Sequence, residues 1–451
     1  MKIIVVGCGR VGAAVVKQLS REGHDISIID MNSTVVTDIS NNYDVMGVVG
    51  NGASHALQVE AGIEAADLLV AATDSDELNL LCCLIAKKAG GCNTIARVRS
   101  PIYNEEIGFL KEELGLSLTV NPEFAAATEI ARVLRVPSAV HIETFAKGRV
   151  EIVKVRIPEG SILEGCPLSQ IQKKTGAEVL ISTVERDDHV EIPNGSFVLQ
   201  AGDVISIVAS KQNTRDFVSR IGLKSRRVRD CMIIGGGKIA FYLAQQLIES
   251  GIRVKIIDRD RDRCEELSDQ LPKATIIHAE AANQAILREE GVTDCEAFVT
   301  LTGMDEENIF LSMFAQNVSK AKVITKVDRT GFDDIIKRLE LGTIIHPKSI
   351  TADNIVRYVR ALQNSIGSNV ESLYKIIDNK VEALEFLIQK DSPIIGIPLA
   401  DLRVKPGVLI ACINRGGRIM IPNGNTTIHE KDSVVVVTTH LGFGDIRDIL
   451  R

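Results

Sequence analysis

The chain opens on an apolar run, Ile3-Ile4-Val5-Val6, too short for a helix, that stops at Gly7. Behind it Ala13, Val16 and Leu19 recur at helical spacing, and a second apolar run at 26–29 closes on Asp30. The spacing predicts strand, turn, helix and strand in that order. Further short apolar runs at 45–49, 68–72 and 95–98 read as strands. A short helix is expected at 33–40. A longer one is marked by Leu78, Leu81, Cys82 and Ile85 and is stopped by Gly90-Gly91. Alternating strands and helices predict an α/β fold with a Rossmann-like, doubly wound parallel sheet over 1–122. After Asn121-Pro122 a helix with Ile130, Val133 and Leu134 on one face leads away to Pro137.

The texture then changes. Val153, Val155 and Ile157 alternate with Lys154 and Arg156, Pro193-Asn194-Gly195 marks a turn, and Ala201-Gly202-Asp203 introduces an apolar strand at 204–208. These features predict a small α+β lobe over 138–222. The basic stretch 224–229 lacks an apolar period and reads as a solvated linker.

Beyond it the pattern restarts. Gly7 recurs as Gly235 and Asp30 as Asp258, both 228 residues later. Thr73, Asn79 and Arg97 recur as Thr302, Asn308 and Lys326, now at a shift of 229, and Ile192-Pro193-Asn194-Gly195 recurs as Ile421-Pro422-Asn423-Gly424 at the same shift. Chance does not hold a register over half a chain, so the molecule is a tandem duplication. A second Rossmann-like domain is expected at 229–348 and a second small C-terminal lobe at 366–451.

Two glycine turns carry the candidate chemistry. In Gly7-Cys8-Gly9-Arg10-Val11-Gly12, Gly7 permits the tight turn, Gly9 lets backbone approach a pyrophosphate, and Gly12 lets the helix pack on the strand. The helix N-terminus supplies unpaired N–H groups to the anion. Asp30 is placed to accept from a ribose diol and to repel a 2′-phosphate. The second turn is Gly235-Gly236-Gly237-Lys238-Ile239-Ala240, with Asp258 as its acid. Arg10 and Lys238 hold the same slot, either as phosphate ligands or as basic residues of a solvated turn.

At strand ends the pattern adds Gly50-Asn51-Gly52, Thr73, Asp74, Arg97 and Val98 in the first half, and Glu280, Thr302 and Lys326 in the second. Asn51 and Glu280 either accept from an adenine amino group or only shape their turns. Thr73 offers a hydroxyl to ribose or phosphate, and Arg97 is either a phosphate ligand or part of a surface ion pair. Glu123, whose neighbour in the duplicate is Lys348, is expected to be a solvent-facing carboxylate at a helix start.

Composition narrows the classes. Of 451 residues, 45% are hydrophobic and 25% charged, with a net charge of -7, so nothing general favours nucleic acid or an anionic membrane as partner. Nine cysteines without a CxxC read as reduced core residues, and the eight histidines show no metal spacing. His24, His141 and His278 are isolated. Gly7 interrupts the first apolar run too early for a signal peptide, and no segment reaches the length of a membrane span. No GxSxG is present, and no cysteine is placed with a histidine and an orienting carboxylate.

Taken together, the two glycine turns with Asp30 and Asp258, Gly50-Asn51-Gly52, Thr73-Asp74-Ser75-Asp76-Glu77-Leu78-Asn79 and Ile95-Ala96-Arg97-Val98 give a chain that resembles the cytosolic nucleotide-binding subunits of Trk-type potassium uptake systems. These are built from two regulator-of-potassium-conductance (RCK) units. The resemblance implies a regulatory protein rather than an enzyme, with NAD(H) and adenine nucleotides (ATP, ADP) as ligands. It implies a homo-oligomeric, tetrameric ring, peripheral on the cytosolic face of the cell membrane, gating an integral-membrane potassium-translocating subunit. It also implies that Arg10 reaches phosphates across a subunit interface. Ala279-Glu280-Ala281, standing where the first half has Gly50-Asn51-Gly52, sets the second site apart. The fingerprint alone also fits an NAD-dependent oxidoreductase or a free nucleotide-responsive sensor.

Overall fold

Each apolar run of the first 122 residues becomes a strand of one parallel sheet. β1 (Lys2–Val6), β2 (Asp25–Asp30), β3 (Met46–Val49), β4 (Leu68–Ala71), β5 (Asn93–Arg97) and β6 (Leu118–Val120) lie in the order β3-β2-β1-β4-β5-β6. Every pairing is parallel. Ile3 to Val6 and Leu68 to Ala71 are buried because helices cover both faces of such a sheet. The order reverses between β1 and β4, which opens a crevice at the carboxyl ends of these strands.

The computed structural model describes residues 1–135, 139–145, 150–187, 189–223, 228–329, 336, 339, 341–365, 370–377 and 380–451. Most of the linker expected at 224–229, the helix stop at Pro137 and the starts of the small lobes at 138 and 366 fall outside these residues.

In the first small lobe, β7 (Ala139–Phe145), β8 (Val150–Arg156), β9 (Leu180–Arg186), β10 (His189–Glu191) and β11 (Val204–Ser210) form an antiparallel sheet in the order β10-β9-β11-β8-β7. The parallel sheet then recurs. β12 (Asp230–Ile234), β13 (Arg253–Asp258), β14 (Thr275–His278), β15 (Ala297–Thr300), β16 (Lys322–Lys326) and β17 (Thr343–Ile345) take the order β14-β13-β12-β15-β16-β17. The last lobe, β18 (Val370–Ile377), β19 (Val381–Leu387), β20 (Val408–Arg415), β21 (Arg418–Met420) and β22 (Ser433–Thr438), repeats the antiparallel sheet as β18-β19-β22-β20-β21. Arg186 grips Asp203 through Nε and Nη2, both at 2.7 Å, and 229 residues later Arg415 grips Asp432 at 2.9 and 2.8 Å. The duplication therefore extends to side-chain geometry.

By contact, the described residues divide into two units, Met1–Ala131 with Val228–Tyr358, and Arg132–Arg227 with Val359–Arg451. The two parallel sheets share the first unit. Within it Tyr242 Oη donates to the carbonyl of Arg99 at 3.1 Å and accepts from Asn121 Nδ2 at 3.1 Å, with its ring edge-on to Phe124. In the second unit the two small lobes share a core that includes Val150, Ile152 and Val208 with Val381, Ala383 and Val435.

Three local expectations are refined. The helix Arg10–Arg21 buries Val11, Val15, Val16 and Leu19, and Ala13 sits at the edge of that face. β6 and β17, three residues each, carry too short an apolar pattern to register as strands in sequence. Eight of the nine cysteines are buried and all are free, in line with the reduced-core reading.

Gly12 lies so close to the turn before it that a Cβ would stand 1.9 Å from the carbonyl oxygen of Gly7. Gly12→Ala is expected to lower stability in urea unfolding by about 1–3 kcal/mol through overpacking. Ala240, its counterpart, is already accommodated, so Ala240→Gly should cost no more than about 1 kcal/mol, the usual penalty of glycine in a helix.

Candidate nucleotide-binding site

Gly7 leaves β1 with φ +84°, and a Cβ there would meet Thr73 N at 2.6 Å, so the turn presses against the end of β4. Gly9 is open: a Cβ would meet nothing within 4 Å. The helix Arg10–Arg21 begins at Gly9 with no side-chain cap, which leaves its first N–H groups available to an anion. Asp30 has a task its sequence position did not reveal. Its Oδ2 accepts the N–H of Cys8 at 2.6 Å and its Oδ1 that of Asn32 at 2.8 Å, fastening the turn to the end of β2. A carboxylate has about four acceptor positions, so capacity for a diol remains. Burial, with Asp30 nearby, pushes the Cys8 thiol up to about 12 and makes it inert.

The loop at 50–52 is held from below. Gln58, fully buried, donates through Nε2 to the carbonyls of Gly52 (2.7 Å) and Cys82 (3.1 Å). A Cβ on Gly52 would stand 2.1 Å from Val6 Cγ1, so this glycine is there for packing. Asn51 Oδ1 accepts from the N–H of Ala53 at 3.0 Å and shapes the turn.

At the ends of β4 and β5 a buried amide does the joining. Asn79 Oδ1 accepts from Thr73 N at 2.8 Å and from Thr73 Oγ1 at 2.7 Å, while Nδ2 donates to the carbonyls of Thr73 (3.1 Å) and Arg97 (2.9 Å). Asn308 repeats three of these bonds, accepting from Thr302 N and donating to the carbonyls of Thr302 and Lys326, while Thr302 Oγ1 donates to the Met304 carbonyl. Asp76 accepts the N–H groups of Arg99 and Ser100 at 2.9 and 2.8 Å, and Asp305 those of Asp328 and Arg329 at 2.9 and 2.8 Å. These clamps were visible as repeated letters, but nothing in the letters told clamp from ligand. Arg97 reaches Thr73 O at 3.4 Å and lies 3.5 Å from Asp74, and burial, with Arg99 beside it, pulls its guanidinium below the usual arginine range.

A cavity of about 940 Å³ gathers these groups, a size typical of ligand pockets. From the first half it is lined by Gly7, Gly9, Arg10, Val11, Asp30, Asn51, Gly52, Thr73, Asp74 and Arg97, and from the second by Gly237, Lys238, Ile239, Thr302 and Lys326. Two expected sites thus open, in part, on one space. The helix Lys238–Glu249 also begins without a side-chain cap, so two helix N-termini meet this cavity. Arg10 extends to the other lobe, its Nη1 3.6 Å from Asp328 Oδ2.

Not all candidates line it. Cys8 and Val98 are core residues, Gly12 is packed under the turn, and Gly235, Gly236, Asp258 and Glu280 lie outside the lining. Asp258 fastens its own turn, accepting from Gly236 N at 2.5 Å and Asp260 N at 2.8 Å. Arg263 Nε donates to the Gly236 carbonyl at 2.7 Å, so a guanidinium sits on the second turn where the first half has Val35. Glu123 and Lys348, by contrast, both line the cavity, and Glu123 Oε2 is buried, which corrects the solvent-facing expectation. The chain folds this helix start inward because Asn121, which caps it by accepting from Phe124 N at 2.9 Å, is tied to Tyr242. Of the isolated histidines, His24 is buried and His278 bonds the Arg259 carbonyl at 3.1 Å; the side chain of His141 lies outside the described residues. Among the described residues no cluster could hold a metal ion and no helix is long and apolar enough to cross a membrane.

The lining fits a dinucleotide or adenine nucleotide. Open backbone at Gly9, two uncapped helix starts and six cationic side chains, Arg10, Arg97, Arg99, Lys238, Lys326 and Lys348, suit phosphates. Three buried polar atoms in the lining, Arg97 Nε, Arg99 Nε and Glu123 Oε2, have no hydrogen-bond partner within the described residues, as expected of groups that await a polar ligand.

Comparison with known proteins identifies the family of the chain. A family model described as the TrkA-N domain matches residues 3–122 and again 231–347, and one described as the TrkA-C domain matches 152–222 and 383–451. The chain belongs to the TrkA family. A Trk system potassium uptake protein of Archaeoglobus fulgidus is 30% identical over the whole length of both chains. The proteins of Halomonas elongata and Vibrio alginolyticus are 29% and 30% identical, each alignment covering 97% of this chain and 95% of the relative. These relatives are named for potassium uptake, and the oxidoreductase alternative is set aside with them. Among solved structures, the GsuK channel has a TM-score of 0.65 at 17% identity, covering 97% of this chain and 76% of that one. A GsuK channel bound to NAD has a TM-score of 0.64 with the same coverage. At that identity the likeness speaks for the fold, two RCK-type units in tandem.

Asn79→Ala removes the partner of Thr73 N–H and of two carbonyls at once. Urea unfolding of the full chain should show a loss of about 1–3 kcal/mol, and Asn308→Ala a loss of the same order.

Proposed function

We propose that this chain is a regulatory nucleotide-binding subunit of a Trk-type potassium uptake system, and that the cavity between its two glycine turns is where the nucleotide acts. The observation that carries this reading is the convergence of both turns on one space, with Arg10 of one lobe beside Asp328 of the other. A ligand in such a place contacts both lobes, and its differential affinity for two arrangements of the lobes is what shifts a partner's equilibrium.

In this reading the first half supplies most of the pocket. Asp30 takes the ribose diol, Asn51 and Gly52 flank the base, and Gly9 and Arg10 receive the phosphates with Lys238 and Lys326 facing them from the second half. Thr73, Asp74 and Arg97 form the floor. NAD(H) and adenine nucleotides are the ligand class; relatives in fold have been solved with NAD and with ADP. Asp258 and Glu280 stand apart from this pocket, and with Arg263 on the second glycine turn the second half acts chiefly as a partner to the first. The expected assembly is a homo-oligomeric ring docked on the cytosolic side of a membrane potassium-translocating subunit, with domains near 1–122, 138–222, 229–348 and 366–451.

Calorimetric titration of the full chain with NADH, ADP and ATP should give saturable binding of one nucleotide per chain. Asp30→Ala should weaken it about tenfold to a hundredfold, the usual cost of losing a hydrogen bond to a charged group. Potassium flux through the reconstituted membrane subunit should change when this protein and a nucleotide are added together. No binding, or no flux response to any of the three nucleotides, would overturn the reading.

A further inference from the structure

One carboxylate in the cavity stands among cations. Asp328 Oδ2 lies 3.6 Å from Arg10 Nη1 and 3.0 Å from Lys326 Nζ, and its Oδ1 lies 3.9 Å from Lys348 Nζ. The side chain of Asp328 is 16% exposed, and those of Lys326 and Lys348 are 10% and 21% exposed, so solvent screens this group only in part. The position is fixed: the Asp328 N–H donates to Asp305 Oδ1 at 2.9 Å, its carbonyl accepts from Lys348 Nζ at 2.7 Å, and Lys326 Nζ also donates to Thr302 O at 3.0 Å. Arg10, by contrast, is 75% exposed and meets Asp328 through the tip of its guanidinium. The duplicated position 229 residues earlier is Arg99, so the two halves carry opposite charges at one register.

We infer that Asp328 is the specificity-determining residue of the cavity, a built-in anion that occupies phosphate-binding cations and so sets the pocket for ligands of low phosphate charge. This rests on the proposal that nucleotides bind here. The physical basis is local charge. Around Asp328 three cations and one carboxylate leave two positive units, and the whole lining, with six cations and four carboxylates, carries the same net charge. A pyrophosphate diester, with about two negative charges, balances them, whereas a triphosphate brings about four and sets the excess against the carboxylate. Burial, opposed by Asp328 and reinforced by Arg10 and Lys326, already holds the Lys348 ammonium below the usual lysine range, which places the four groups within one another's field. Arg10 is the exposed member. A ligand phosphate competes with Asp328 for it, so the ion pair between the lobes gives way to a ligand-mediated contact as the site fills.

The test is calorimetric titration of full-length wild type, Asp328→Asn and Asp328→Glu with NADH, AMP, ADP and ATP at two salt concentrations. For Asp328→Asn, ATP affinity should rise about tenfold and ADP less, with NADH changed by less than about threefold and a steeper salt dependence for ATP. Asp328→Glu should keep the wild-type ranking. Lys348→Met should do the opposite of Asp328→Asn, weakening ATP more than NADH, and it keeps the test alive if Asp328→Asn does not fold. If wild type binds none of the four, the nucleotide reading itself fails. If wild type binds but Asp328→Asn shifts all ligands in parallel, or keeps their ranking, nucleotide binding stands and the role of Asp328 is overturned.

Discussion

The amide of Asn79 bonds the backbone of two neighbouring strand ends at once, and Asn308 makes the same bridge in the second half. Parallel strands that end at a crevice leave N–H and C=O groups without ladder partners, and such groups are costly when buried. By satisfying them from one side chain, the fold keeps the ends of β4 and β5 together while the turn after β1 stays open between them and β2. Asp30 and Asp258 do the matching work on the other side, drawing each glycine turn onto the neighbouring strand. The crevice exists because both sides are pinned by polar side chains rather than filled by apolar ones.

Duplication gave two such crevices, and the molecule treats them differently. The first keeps its loop tight, with Gln58 under Gly52 and a glycine where any Cβ would strike Val6. The second has Leu287 at the register of Gln58 and Arg263 laid on its turn. Its positive groups, Lys238, Lys326 and Lys348, line the shared cavity, and Asp328 lies against the last two. A duplicated unit thus presents one cavity with unequal walls, lined from both halves of the chain.

Much of the fold was legible in the residues. The apolar runs at 3–6 and 26–29, the register of 228–229 and the composition of the glycine turns specified two parallel sheets and two small lobes, because strand, turn and helix each have a local signature. The short strands β6 and β17 escaped, since three residues show no period. Within the site, Gly9, Arg10 and Asp30, singled out by their motif, line the cavity. Cys8, Gly12 and Val98 share the same motifs but are packed in the core, and Glu123 passed for a surface charge while lining the cavity.

The sequence by itself determined what each half is: a nucleotide-type turn, an acid at the end of the next strand, a repeat of both and no accompanying catalytic group. These are local properties, set by backbone conformation and residue chemistry within some thirty residues. Only the tertiary structure decided that Gly9 and Gly237 open on one cavity, that Arg10 stands at Asp328, and that Asp258 serves its own turn. Those outcomes depend on how two lobes pack through Tyr242, Asn121 and Phe124, a contact between positions more than a hundred residues apart that no local pattern encodes.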